Sequence, residues 1–130
     1  MDFGKILVVD DDERIRSILR CILQRHGALV AEAADGEAAR IALTETASFE
    51  LAIIDVNIPR PSGLRVIAML RSAGRDTPVL VVTGAADDDL RAAVAELGNA
   101  EVLPKPFSED ALVTAIERLL ARAGGEGGMG

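Results

Sequence analysis

Lys5-Ile6-Leu7-Val8-Val9-Asp10-Asp11-Asp12 is the stretch that decides how this chain is read. Ile6 to Val9 offers no polar residue at either alternate position, so a strand built from it is buried on both faces, as in a parallel sheet. Three acids follow at once. Downstream, Ile15, Ile18, Leu19, Ile22 and Leu23 recur at helical spacing and mark one apolar stripe, and Gly27 stands where a helix commonly ends. A strand running into acids, then an amphipathic helix, is half of a βαβ unit.

The same unit repeats along the chain. Ala28-Leu29-Val30-Ala31-Glu32-Ala33 reads as a weaker second strand, followed by an Ala-rich helix from about Gly36 to Thr44. Leu51-Ala52-Ile53-Ile54 reads as a third strand ending at Asp55. A loop with Pro59, Pro61 and Gly63 leads into a helix carrying Leu64, Ile67, Ala68 and Leu70. Pro78-Val79-Leu80-Val81-Val82 is a fourth strand, proline being tolerated at a first position, and a helix from about Asp88 to Leu97 ends at Gly98. Glu101-Val102-Leu103 is a short fifth strand. Ser108 caps a last helix with Glu109 and Asp110 in its first turn and Leu112, Ile116, Leu119 and Leu120 on its buried face. This alternation predicts a doubly wound (βα)5 fold of the α/β class, a parallel sheet with helices on both faces. Residues 1–122 form one domain in this reading, and the glycine-rich 123–130 is a flexible tail or the start of a linker.

Composition removes several functions. A formal charge of −7 argues against direct nucleic-acid binding, which needs a basic patch, and an aromatic content of 2% removes the usual base-stacking platforms. No apolar run approaches the roughly 18–20 residues that cross a bilayer, so no membrane insertion is expected. The single cysteine, Cys21, and the absence of a signal-peptide pattern suit the cytoplasm. Cys21, between Arg20 and Ile22-Leu23, is expected in the core or half-buried.

Strand ends of a parallel sheet share one edge, where ligands bind. Here they deliver Asp10-Asp11-Asp12, Asp55, Thr83 and Lys105 to that edge. Crowded carboxylates repel one another unless a cation sits among them, and all-oxygen ligands suit Mg²⁺. A carboxylate can attack phosphorus, while a metal, an ammonium and a hydroxyl stabilise the charge of phosphoryl transfer. Other polar residues have plainer readings: Asp12 as an N-cap, His26 as a favourable charge at a helix end, Asp87-Asp88-Asp89 as a solvated helix start, and Arg14, Arg16 and Arg20 as a solvated helix face.

Val8-Val9-Asp10-Asp11, Ile53-Ile54-Asp55-Val56-Asn57-Ile58-Pro59 with Gly63, Val81-Val82-Thr83-Gly84 and Lys105-Pro106-Phe107 together resemble the receiver domain of two-component response regulators, over residues 4–122. The resemblance implies a flavodoxin-like sheet in strand order 2-1-3-4-5. It implies Asp55 as phospho-acceptor, Mg²⁺ held by Asp10, Asp11, Asp55 and the Asn57 backbone carbonyl, Thr83 as switch hydroxyl, and Lys105 as the invariant lysine before a cis peptide. The implied donor is a histidine kinase or histidine phosphotransfer protein, for which helix 1 is the docking candidate; the implied recipient is a downstream protein target or output domain. A homodimer stays open. Such a domain is not an enzyme beyond its own self-phosphorylation and self-dephosphorylation. One departure stands out: the strand-5 position where the family often has Tyr or Phe is Val102, so aromatic rotation is not the readout, and a shift of the Thr83 loop and helix 4 is expected instead.

Two other classes compete. Haloacid-dehalogenase-type phosphatases also combine Asp, Thr, Lys and Mg²⁺, but carry the nucleophile on the first strand as Asp-x-Asp. A pseudo-receiver binds partners without phosphorylation, yet usually lacks acid-pair or acceptor residues that this chain keeps. A dinucleotide-binding fold is disfavoured because no G-x-G-x-x-G follows the first strand.

Overall fold

A computed structural model describes residues 2–45 and 49–129, with side chains on the last helix described as far as Arg122. Strands and helices alternate along the chain: β1 (Gly4–Val9), α1 (Glu13–Arg25), β2 (Ala28–Ala33), α2 (Gly36–Glu45), β3 (Leu51–Asp55), α3 (Gly63–Ser72), β4 (Val79–Thr83), α4 (Asp88–Leu97), β5 (Ala100–Pro104) and α5 (Glu109–Met129). Among the described residues the sheet has five strands, all paired in parallel, in the order β2-β1-β3-β4-β5. This is the doubly wound arrangement the alternation predicts. The proposed Gly-rich tail falls where side chains lie outside the described residues.

Side chains alternate across the sheet with period two, so each central strand feeds two cores. Ile6 and Val8 of β1, Ile53 of β3 and Leu80 of β4 pack with Phe3, Leu19, Leu23, Leu112, Ile116 and Leu119 on the α1/α5 side. Leu7, Val9, Ile54 and Val81 turn to the other side, against Ala39, Leu43, Ile67, Leu70 and Val94 of α2, α3 and α4. Every residue of β3 and β4 is buried, which is why these strands read as unbroken apolar runs. Burying each branched side chain there stabilises the fold by roughly 1.5–3 kcal/mol relative to exposure.

Helix starts follow the capping logic of the sequence. The Asp12, Ser62 and Asp87 side chains accept from the N–H groups of Arg14, Arg65 and Leu90 at the starts of α1, α3 and α4. Ser108 Oγ likewise accepts from Ala111 N–H before α5. At the end of α1, His26 is the C-cap and its ring stacks on Phe3, with centroids 5.1 Å apart.

Helix α4 is packed less deeply, with Val94 its fully buried residue. Its C-terminal end is held by Arg71 of α3, whose guanidinium donates to the carbonyls of Leu97, Gly98 and Asn99 and to that of Arg75. The last carbonyls of a helix have no partner of their own, and Arg71 supplies one.

Three sequence expectations on α1 need correction. Cys21 is exposed. It lies two residues from both Leu19 and Leu23, which are buried, and at about 100° per residue that puts it roughly 200° around the helix from each. Arg16 is not part of a solvated face: its side chain is only 16% exposed and is bonded to two other elements, whereas Arg14 at 90% does face solvent. Ile18, assigned to the apolar stripe, is 57% exposed.

Candidate functional site

The ends of β1, β3, β4 and β5 meet at the carboxyl edge of the sheet. Asp10 is the residue just after β1, and its backbone N–H donates to the Ala33 carbonyl at the end of β2. Asp55 is the last residue of β3, paired in register with Val82 of β4. Thr83 ends β4, and its carbonyl accepts from the Lys105 backbone N–H at 2.7 Å, which ties the lysine to the strand beside it. The Lys105–Pro106 peptide is cis.

These elements bring Asp10, Asp11, Asp55 and Lys105 together. Lys105 Nζ donates to Asp55 Oδ2 at 2.8 Å and to Asp10 Oδ2 at 3.3 Å. The second oxygens of both acids are used locally, Asp10 Oδ1 accepting from Asp12 N–H and Asp55 Oδ1 from Asn57 N–H, each at 2.9 Å. Asp10, Asp11 and Asp55 each offer a carboxylate oxygen, all within 4.8 Å of one another. Asp10 and Asp55 are buried while Asp11 is exposed, so the cluster opens to solvent on the Asp11 side. Asn57 is exposed beside it.

Electrostatics reflect this crowding. Burial pushes the Asp10 carboxyl above its usual range; the Asp12 N–H and the Lys105 charge oppose that, and the Asp55 charge adds to it. Burial works against the Lys105 ammonium too, but Asp55 and Asp10 outweigh it and hold the lysine above its ordinary value. The cation is therefore firmly charged and the acids share it. A donor set of three carboxylates, open on one side, fits a hard divalent ion that keeps some of its water.

Thr83 is buried, and its Oγ1 accepts from Ala85 N–H at 3.1 Å. That leaves the hydroxyl proton free to be donated elsewhere. Gly84, next to it, has open space where a side chain would stand. Gly63 is required for a different reason: a Cβ there would lie 2.6 Å from the Asp55 carbonyl oxygen.

Two features of the site were not foreseen from the sequence. Arg16 Nη1 donates to the Asp10 backbone carbonyl at 2.6 Å, a partner that no local pattern announces. Beside Lys105, an apolar hollow of about 480 Å³ is lined by Ile15, Ile18 and Leu19 of α1 with Pro106 and Phe107.

With this geometry in hand, likeness to known proteins is informative. Residues 6–117 match the response regulator receiver domain family. The chain is 38% identical over 126 residues to the response regulator MprA of Mycolicibacterium vanbaalenii, covering 97% of this chain and 54% of that protein. It is 37% identical over 120 residues to the transcriptional regulatory protein CpxR of Escherichia coli strain K12, covering 92% of this chain and 50% of that one. The chain thus spans about half the length of these curated relatives. Among solved structures, chemotaxis protein CheY4 of Vibrio cholerae superposes with a TM-score of 0.79 at 32% identity, over 89% of this chain and 98% of that one. A receiver domain protein of Clostridium thermocellum gives 0.82 at 28% identity, over 92% and 96%. In family, strand order and overall shape, this chain belongs to the receiver domains of two-component response regulators.

Proposed function

We propose that this receiver accepts a phosphoryl group on Asp55 and reports it through the Thr83 loop and α4. The observation that carries the reading is the junction of Asp55, Asp10, Asp11 and Lys105 at one solvent-open sheet edge. A carboxylate oxygen of Asp55 attacks phosphorus; the bond from phosphorus to the donor breaks, its electron pair leaves with the donor, and an acyl phosphate remains on Asp55. Asp10, Asp11, Asp55 and the Asn57 carbonyl would hold Mg²⁺, which when bound supplies positive charge to the transferring oxygens.

Lys105 would follow the new charge, exchanging its carboxylate contact for a phosphoryl oxygen, and the Thr83 hydroxyl would donate to another. Phosphorylation adds about 1.5–2 negative charges and strong acceptors, enough to bias a loop between two positions. Val102 is half-buried and packs against the α2/α3/α4 core, so no aromatic ring is involved. The moving part is the Thr83–Asp87 segment together with the shallowly packed α4.

The donor is a histidine kinase or phosphotransfer protein, docked over α1. Support comes from the apolar hollow beside Lys105 and from Ile18 at its rim, an exposed apolar anchor next to the chemistry. The wider activity of any protein containing this domain, including an output domain or target, rests on the same proposal. Catalysis beyond self-phosphorylation and self-dephosphorylation is not part of it.

Incubation with acetyl phosphate tests the reading by intact mass. One added phosphoryl group that needs Mg²⁺, is lost with excess EDTA and is absent from Asp55→Asn is the expected result. No addition, with Mg²⁺ shown to bind, would replace it with an unphosphorylated interaction module.

A further inference from the structure

We infer that Arg16 is a positioning residue for the acidic pair, bracing the β1–α1 turn so that Asp10 and Asp11 are set for a divalent cation. The inference deepens the Mg²⁺-dependent reading of the site and rests on it.

Arg16 sits in the first turns of α1, yet its guanidinium reaches back across the turn. Nη1 donates to the Asp10 backbone carbonyl at 2.6 Å, and Nε donates to Glu32 Oε1 on β2 at 3.1 Å. One planar fork therefore joins the helix, the strand end carrying the metal-binding acids and the neighbouring strand. Glu32 is itself held from its other oxygen by Arg20. Burial of Glu32 opposes its charge, but the bonds from Arg20 and Arg16 prevail and keep its carboxyl below the usual range. The brace is thus ionised at neutral pH.

Its placement is selective. The Asp10 side chain is already committed, Oδ1 to Asp12 N–H and Oδ2 to Lys105. What those bonds leave free is the peptide linking Asp10 to Asp11, and Arg16 binds the carbonyl of that peptide. Rotation of this linkage would swing the exposed Asp11 away from Asp10 and Asp55. Bonds of this kind, one step behind the ligands, commonly govern metal affinity. A lysine substitutes poorly, because its rotatable donors on a flexible stem do not hold the carbonyl and Glu32 in one fixed geometry.

The sign of the effect separates this role from simple charge. Arg16 is a cation near a cation site, so Coulomb repulsion alone predicts that its removal tightens Mg²⁺ binding; positioning predicts that it weakens.

Calorimetric titration of the full chain with Mg²⁺, beside urea unfolding of each variant, decides between them. Arg16→Ala is expected to bind Mg²⁺ about tenfold more weakly, and Arg16→Lys several-fold more weakly. Arg20→Ala, which removes the same charge from a half-buried neighbour and leaves the Arg16 bond to the Asp10 carbonyl in place, is expected to bind within about twofold of the parent. If Arg16→Ala does not unfold cooperatively, Arg16→Lys carries the decision. Binding by the folded Arg16 variants equal to or tighter than the parent's overturns the inference while leaving the metal site intact. A parent chain that binds no Mg²⁺ overturns the metal reading, and this inference with it.

Discussion

Lys105 Nζ and Asp55 Oδ2 are 2.8 Å apart although 50 residues separate them in the chain. The contact exists because β5 and β3 flank β4, so their carboxyl ends open onto one edge. A lysine aimed at the carboxylate proposed as acceptor can neutralise charge there without displacing it. Replacing it by Met is expected to slow phosphoryl uptake from acetyl phosphate by about 100-fold, in line with removal of one preorganised charge donor. Phosphorylation that does reach Asp55 would then fail to shift the Thr83 loop. Stopped mass-spectrometric time courses and amide NMR read the two effects separately.

The same lysine gives an alkaline signature. Asp55 and Asp10 hold it above its ordinary value against the cost of burial. A group raised in the fold contributes stability that is complete below its unfolded pKa and is lost as pH rises through its folded value. Parent and Lys105→Met should therefore differ most at neutral pH and converge at strongly alkaline pH, measured by urea midpoints in EDTA.

Asp10 acts in the opposite sense at neutral pH. Burial raises its carboxyl pKa, so stability is lost as pH rises from the ordinary carboxylate range through the raised value. Asp10→Asn is expected to raise the urea midpoint at pH 7 in EDTA, and the advantage should vanish below the ordinary carboxylate range, where the parent is protonated in both states. On the proposed metal reading Mg²⁺ is expected to reverse the ranking: free ion at about 100 times its dissociation constant would add roughly 2.7 kcal/mol to the parent, and little to Asp10→Asn.

Gly63→Ala tests how the acceptor loop is packed. The added Cβ would lie 2.6 Å from the Asp55 carbonyl oxygen and 3.0 Å from Val56 Cα, both backbone atoms with little room to yield. A loss of roughly 2 kcal/mol is expected by urea unfolding, with slower phosphorylation because the displaced backbone carries Asp55.

Output without an aromatic switch is checked by amide NMR with beryllofluoride as phosphoryl mimic. Shifts across residues 84–103 are expected, strongest at the N-terminal end of α4, because Arg71 fastens the C-terminal end through the Leu97, Gly98 and Asn99 carbonyls. Unchanged shifts in this segment would remove α4 as the output element. Arg71→Ala, which takes the side-chain donors from the Leu97 and Gly98 carbonyls, is expected to cost about 2 kcal/mol in urea unfolding.

Much of this protein was legible locally. Ile6–Val9, Leu51–Ile54 and Val79–Val82 lack a polar alternation, and that pattern alone requires strands buried on both faces. Asp12, Ser108 and Gly27 marked helix ends because caps and turns act over three or four residues. Cys21 was misread for the opposite reason: apolar neighbours in sequence are not neighbours on a helix, and a two-residue offset turned it to solvent.

What the sequence determined by itself was therefore the alternation of elements and the residues delivered to the strand ends, since both follow from local periodicity and from the shared direction of parallel strands. Which of those residues meet was decided by tertiary structure. Lys105 beside Asp55, Arg16 beneath the Asp10 carbonyl, and Arg71 at the end of α4 each join parts of the chain that no local spacing relates. Such contacts depend on strand order and on the reach of long side chains across packed elements, and only the assembled sheet with its helices sets those distances.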